Sequence, residues 1–289
     1  MRTPPCQKMQ RQTLVIEDGN ACFHYVREIP QTFQGIAEKL FKSLNSKWDV
    51  IFSTDMYLPD SVKLAERRRR GYGEKLITSG PKTRRSQDWQ NFLTNDEKRQ
   101  LAEILLTSWS SDDFSGALKD RSVVIVVDGW AYELTADGSR TPTGEIVTLR
   151  SSQETDTHTV LYCLYAQEAR YKYARVCSPD NDIFFILLYH ARQFQNITVL
   201  FETGKDNKRR CLDMNELAKS LSPTMCSSLL SLHAFIGCDS ASAFKGKGKV
   251  NPIKLPQKSQ NHQETFSEIG KACEISSTVQ ESVPCMAIL

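Results

Sequence analysis

The chain has 289 residues, 40% of them hydrophobic and 25% charged, with a formal net charge of +3. These values sit near the globular average, and no apolar run approaches the ~20 residues of a membrane span, so the composition excludes a membrane or low-complexity chain and predicts a soluble protein. The length allows about two domains, or one α/β domain with a tail. The amino end lacks the apolar segment of a secretory signal, which makes the cytoplasm or nucleus the expected compartment. Nine cysteines without a Cys-x-x-Cys pair predict reduced thiols, with neither a zinc site nor a disulfide framework. Cys285 is fifth from the end, one residue off a prenylation signal. The five histidines are too dispersed for a metal cluster, so a metal here would be held by oxygen and would be hard, Mg²⁺ or Mn²⁺.

In chain order, residues 13–17 (TLVIE) read as a central strand running into Asp18-Gly19-Asn20, which puts Asp18 at its mouth. Phe33, Ile36, Ala37, Leu40, Phe41 and Leu44 recur at helical spacing behind Thr32, a good N-cap. A second strand over 48–54 is followed at once by Asp55. Residues 56–93 lose apolar content and carry Arg67-Arg68-Arg69-Arg70 and Lys82 to Arg85, which predicts a mobile basic insertion. A helix over 94–109 returns the chain to the core, and 121–127 is the clearest strand, with Asp128-Gly129 after it, Asp128 being an extra candidate ligand, and a hairpin-like turn at Ala136-Asp137-Gly138.

Ser151 or Ser152 can cap a helix that continues through 160–169, placing Glu154 and Asp156 in its first turn, where acids also suit the helix dipole. The central stretch follows: 175–188, RVCSPDNDIFFILL, sets Asp180 and Asp182 between two apolar runs. Pro179 ends a strand ladder and Asp180 is a good N-cap, so the pair would lie where open α/β sheets place their ligands, although an Asp-x-Asp turn can also be a solvated turn. Residues 196–201 read as a strand, 204–210 as a charged loop, and 217–221 and 226–235 as helices. A helix ending in Gly237-Cys238-Asp239 leads to Lys245, Lys247 and Lys249, and from 251 onward the composition predicts a loosely ordered tail. The basic clusters, including 208–210, could meet a polyanion or be solvated loops.

Seven acids thus stand at comparable places: Asp18, Asp55, Glu154, Asp156, Asp180, Asp182 and Asp239. A parallel sheet brings such ends together, so they are expected in one cleft. Carboxylates so gathered repel unless cations relieve them. Two divalent cations ~4 Å apart would do so and would suit a phosphodiester substrate.

The order of these motifs resembles the flap endonuclease group of structure-specific 5′ nucleases, over residues 13–249. Asp18 in IEDGN resembles the family's first aspartate and Asp55 its second. Glu154-Thr155-Asp156-Thr157 resembles its Glu-Ala-Glu-Ala signature, Asp180-Asn181-Asp182 its Asp-x-Asp, and Gly237-Cys238-Asp239 its Gly-x-Asp. The layout is also similar to a set of uncharacterised animal proteins. The resemblance implies an α/β, PIN-like three-layer sandwich over 11–250, with a mostly parallel central sheet, helices on both faces, a flexible end at 1–10 and a tail at 251–289. It implies two Mg²⁺ or Mn²⁺ ions held by the seven acids, and a nucleic acid substrate, DNA rather than RNA. It assigns Lys63, Arg67, Arg68, Arg69 and Arg70 to an arch over the site, and Gly246 to Lys249, with Lys245, to a phosphate grip. Three features depart from the family: extra residues before the first strand, Asp156 in place of a second Glu, and no recognisable second hairpin helix after Val250. His158 shares a helix face with Glu154 and could support it, or be a surface histidine. A catalytically inactive nucleic-acid-binding or scaffold protein on the same fold is the alternative function.

Overall fold

The structure, a computed structural model, describes residues 12–44, 49–56, 79–94, 98–118, 121–134, 140–142, 149, 155–238 and 250–271. The chain divides into two compact units, Met1–Pro179 with Asn196–Leu212, and Asp180–Gln195 with Asp213–Leu289. The sequence suggested one domain over 11–250.

The first unit is built on a mixed sheet of order β5-β4-β3-β2-β1-β6-β7-β8. Strands β1 (Thr13–Asp18), β2 (Asp49–Ser53), β3 (Val123–Val127), β6 (Tyr173–Cys177) and β7 (Thr198–Thr203) run parallel to one another. Their runs of buried β-branched residues, such as Val-Val-Ile-Val-Val in β3, are what a sheet covered on both faces demands. β4 (Trp130–Leu134) and β5 (Arg140–Pro142) are antiparallel, and β8 (Arg210–Asp213) is the other edge.

Helices α1 (Gly19–Tyr25), α2 (Phe33–Ser43), α3 (Trp89–Leu93), α4 (Lys98–Trp109) and α5 (Asp112–Leu118) belong to this unit. Their Phe23, Phe33, Leu40, Phe92, Leu105 and Trp109 share a core with Val15, Val50, Phe52 and Ile125 on one face of the sheet. The indole N–H of Trp109 donates to Ala37 O at 2.9 Å and that of Trp89 to Phe23 O at 3.1 Å, so the large rings are buried with their polar atoms paired. On the other face lies α6 (Thr155–Glu168), whose Tyr162 hydroxyl meets the Ser53 hydroxyl at 2.9 Å. Helices therefore cover both faces, and the α/β expectation holds.

Three local expectations change. The end of the supposed mobile insertion 56–93 is packed: Trp89, Phe92 and Leu93 are buried, Phe33 N donates to Thr83 O at 3.1 Å, and Arg85 Nε donates to Pro30 O at 3.1 Å. The charge of 82–85 hid an apolar anchor a few residues later. Asp128-Gly129 is no loop end but a two-residue hairpin turn between β3 and β4, both residues having positive φ (51° and 79°), the conformation that Asp-Gly favours. Arg210, expected as the end of the charged loop 204–210, instead begins edge strand β8.

The second unit contains α7 (Asn181–His190), α8 (Met214–Lys219), α9 (Pro223–Phe235), α10 (Val250–Ile253), α11 (Leu255–Lys258) and α12 (Gln260–Glu268). Ser222 caps α9 through Met225 N at 3.0 Å, with Pro223 in the first turn, where its missing N–H is no loss. Residues 251–268, expected in a loose tail, are largely helical. The reason is sparse but well-placed apolar spacing: Phe266 is fully buried against Leu232 and Ile236, with Ile253 and Ile269 beside them.

Candidate active site

In the first unit the acids that follow strands lie at one edge of the sheet. Asp18 closes β1 in register with Ser53 of the parallel β2, and Asp55 comes two residues after Ser53. Thr54 fixes that segment against β3, its N–H and hydroxyl donating to Val126 O at 3.1 and 2.7 Å. Asp18 also caps α1: Oδ1 accepts from Ala21 N at 2.9 Å, and Oδ2 accepts from the Ser178 hydroxyl, just after β6, at 2.8 Å. Gly19 permits this tight exit. A Cβ there would stand 2.6 Å from the Phe52 ring and 2.7 Å from Ser53 O.

Helix α6 runs opposite to the strands, because Tyr162 meets Ser53 at the end of β2 whereas Tyr171, beyond the helix, donates to Asp49 at its start at 2.8 Å. The first turn, with Asp156, therefore lies at the same carboxyl edge as Asp18 and Asp55. His158, two residues after Asp156, is buried rather than on the surface, and its Nε2 has no partner among the described residues. Burial holds its pKa below the ordinary value.

One residue before Asp18, the opposite side of β1 carries a different chemistry. Glu17 lies beside Cys177 across the β1–β6 register, and Cys22 Sγ approaches its Oε2 at 4.0 Å. Burial pushes the Glu17 carboxyl up to about 7, against the pull of Arg175. Arg175 and Arg209 both bind Glu202, the residue level with Cys177 on β7. Burial also pushes the Cys22 and Cys177 thiols well up, so they are inert structural cysteines.

In the second unit, Asp180 is the N-cap of α7 as expected, accepting from Asp182 N at 2.8 Å. Asp182, in the first turn, accepts at Oδ1 from His233 Nε2 of α9 at 2.6 Å. That imidazole is buried, stacked on Phe185 with centroids 4.3 Å apart, and its Nδ1 has no hydrogen-bond partner among the described residues. Sequence reasoning missed His233. Its only signal was a histidine inside an apolar helix, spaced unlike any histidine ligand pair.

Glu154, Asp239, Lys63, Arg67, Arg68, Arg69, Arg70, Lys245, Lys247 and Lys249 lie outside the described residues. Asp128, a lesser sequence candidate, is paired with Arg99 at 2.8 Å in the hairpin turn. Among the described residues no group of three or more His, Cys, Asp or Glu side chains stands close enough to hold a metal ion. The donor chemistry of the described candidates is uniformly carboxylate oxygen, which fits a hard divalent cation.

No protein-family model and no curated protein matches this chain. Among solved structures it is similar to the T5 D15 protein co-crystallised with metal ions, at 11% identity and a TM-score of 0.44 over 93% of this chain and 82% of that one. It is similar to the catalytic core of Rad2 in complex with DNA substrate, at 10% identity and a TM-score of 0.45 over 96% and 71%. A third is T5 5′-exonuclease with bound zinc, at 12% identity and a TM-score of 0.40 over 93% and 83%. The animal proteins of similar layout find no support in these comparisons. The chain's own strand order, with helices on both faces of the sheet, defines it as α/β.

Proposed function

We propose that this protein hydrolyses phosphodiester bonds of nucleic acid in a metal-dependent reaction, with Asp18, Asp55, Glu154, Asp156, Asp180, Asp182 and Asp239 supplying the oxygen ligands. The observation that supports it most is the edge of the first unit, where Asp18, Asp55 and Asp156 share the carboxyl ends of parallel strands. That is where open α/β folds bind ligands. Solved structures of similar architecture include one with metal ions and one with DNA substrate.

Two bound Mg²⁺ or Mn²⁺ ions would supply Lewis-acid stabilisation of the charge that develops on the phosphodiester. The chain's own residues orient the donors. The Ala21 amide and the Ser178 hydroxyl set the Asp18 carboxylate, the Asp182 amide sets Asp180, and His233 sets Asp182. Outer partners of this kind govern how well a carboxylate binds metal. Lys63, Arg67, Arg68, Arg69, Arg70, Lys245, Lys247 and Lys249 would bind the phosphates of the strand, DNA in preference to RNA.

The second reading is a nucleic-acid-binding or scaffold protein on the same fold without catalysis. Labelled single-stranded, flap and hairpin DNA and RNA, incubated with purified protein in Mg²⁺, Mn²⁺ or EDTA, separate the two. Cleavage lost in EDTA and in Asp180→Ala supports the enzyme. Binding without cleavage in any metal supports the second reading.

A further inference from the structure

We propose that the loop at residues 204–210 is a preformed binding surface for the phosphate backbone of the nucleic acid, built by β7, β8 and the end of α1. The proposal rests on the nucleic-acid reading of the preceding subsection. It concerns residues other than Lys63, Arg67 to Arg70 and Lys245 to Lys249.

Geometry places this loop well. β7 runs parallel to β6, and β6 to β1, so the loop leaves the sheet at the edge where Asp18 ends β1. Its shape is fixed rather than floppy. Gly204 has φ +84°, and a side chain there would run into the Lys208 carbonyl. Lys208 N donates to Lys205 O at 2.9 Å, Arg209 N donates to Asp206 O at 3.1 Å, and Asp206 takes a positive φ of 48°. The loop is also tied to the segment that starts at Asp18. Asp206 pairs with Arg27, just beyond α1, at 3.0 Å, and the Lys205 ammonium sits 3.3 Å from the centroid of the Tyr25 ring.

The charges decide what the loop can bind. Asp206 is matched by Arg27, and Glu202 by Arg175 and Arg209. Lys205, Lys208 and Arg210 are exposed and form no ion pair among the described residues. A cation–π contact holds the Lys205 side chain in place without neutralising its charge. Three cations on a rigid, solvent-facing turn suit a polyanion whose charges are spaced along a strand. They give position rather than sequence readout, because ammonium and guanidinium contacts of this kind go to phosphate oxygens. The competing role for such charges is protection of edge strand β8 against pairing with other chains.

The test is affinity against salt for the full chain and for Lys205→Gln/Lys208→Gln/Arg210→Gln, with labelled single-stranded and duplex DNA and Ca²⁺ in place of Mg²⁺. All three side chains are exposed, and circular dichroism confirms that the variant is folded. The expected result is weaker binding at low salt and a flatter log–log salt line, by about 2 units on a single strand and just under about 3 on a duplex. Lines that coincide, or a wild type that binds neither oligonucleotide, would overturn the proposal and leave edge protection as the role. A Mg²⁺ cleavage assay on the same proteins keeps the two readings apart. Cleavage with coincident salt lines removes only the loop, whereas a flattened line without cleavage removes only the nuclease.

Discussion

The two units hold their carboxylates by different means. In the first, Asp18 is gripped by neutral donors, an amide and a serine hydroxyl, at the end of a fully hydrogen-bonded strand. In the second, Asp182 sits on a helix and is held by a buried imidazole wedged against Phe185. A carboxylate placed by the sheet needs only light support, because β1 is paired along its length with β2 and up to Glu17 with β6, and this already fixes the strand that carries Asp18. One placed by a helix start depends on side chains from another helix. Within the first unit the contrast repeats at shorter range. Asp18 is bound by neutral donors, while Glu17, adjacent in sequence, faces two inert thiols and an arginine–glutamate network with its pKa pushed up to about 7.

The largest effect that would break or sharpen this comparison is on catalysis. Asp18→Ala and Asp180→Ala should each lower cleavage by about 10³-fold or more, a loss of over ~4 kcal/mol of transition-state stabilisation, while the fold survives the ~1 kcal/mol lost with each helix cap. Comparable turnover in either variant would separate that carboxylate from the chemistry.

Next in size is His233→Ala, which removes a buried, stacked ring and the donor to Asp182. A cost of about 3 kcal/mol in urea unfolding is expected. Under 1 kcal/mol would mean that Asp182 does not depend on the helix beside it.

Glu17→Gln comes third and has a pH signature. The folded-state pKa lies above the ordinary value of 4.5, so the folded protein binds more protons than the unfolded chain between pH 4.5 and 7. Wild-type stability from this group is therefore greatest at low pH and falls as pH rises through that window. Glu17→Gln should gain stability relative to wild type between pH 5 and 8, by roughly 2 kcal/mol. A difference that stays flat with pH would show that Glu17 is not held neutral.

Smallest is Ser178→Ala, where loss of one hydrogen bond to Asp18 should cost about 1 kcal/mol. A cost as large as that of His233→Ala would cancel the distinction between sheet-held and helix-held carboxylates.

What could be read from the sequence follows the same division. Asp18, Asp55 and Asp180 were legible because each follows an apolar β-branched run, and strand ends and N-caps are local properties. Thr32 was legible as a cap for the same reason. The burial of His158 and the bond from His233 to Asp182 were not, because each depends on which helix packs against which, and a lone histidine carries no spacing signal. The hairpin at Asp128-Gly129 was overlooked because Asp128 was weighed as a ligand, although Asp-Gly between apolar runs is itself a turn signal. The helices after 250 escaped because one phenylalanine, Phe266, with a few isoleucines anchors a polar stretch whose average composition reads as loose.

The central claim is that these carboxylates hold divalent cations for hydrolysis, and Mn²⁺ titration followed by electron paramagnetic resonance tests it most directly. The account expects saturable binding of about two Mn²⁺ per chain, as in two-metal nucleases, with at least one lost in Asp18→Ala. Cleavage that needs no divalent cation, or Mn²⁺ binding unchanged in that variant, would contradict it.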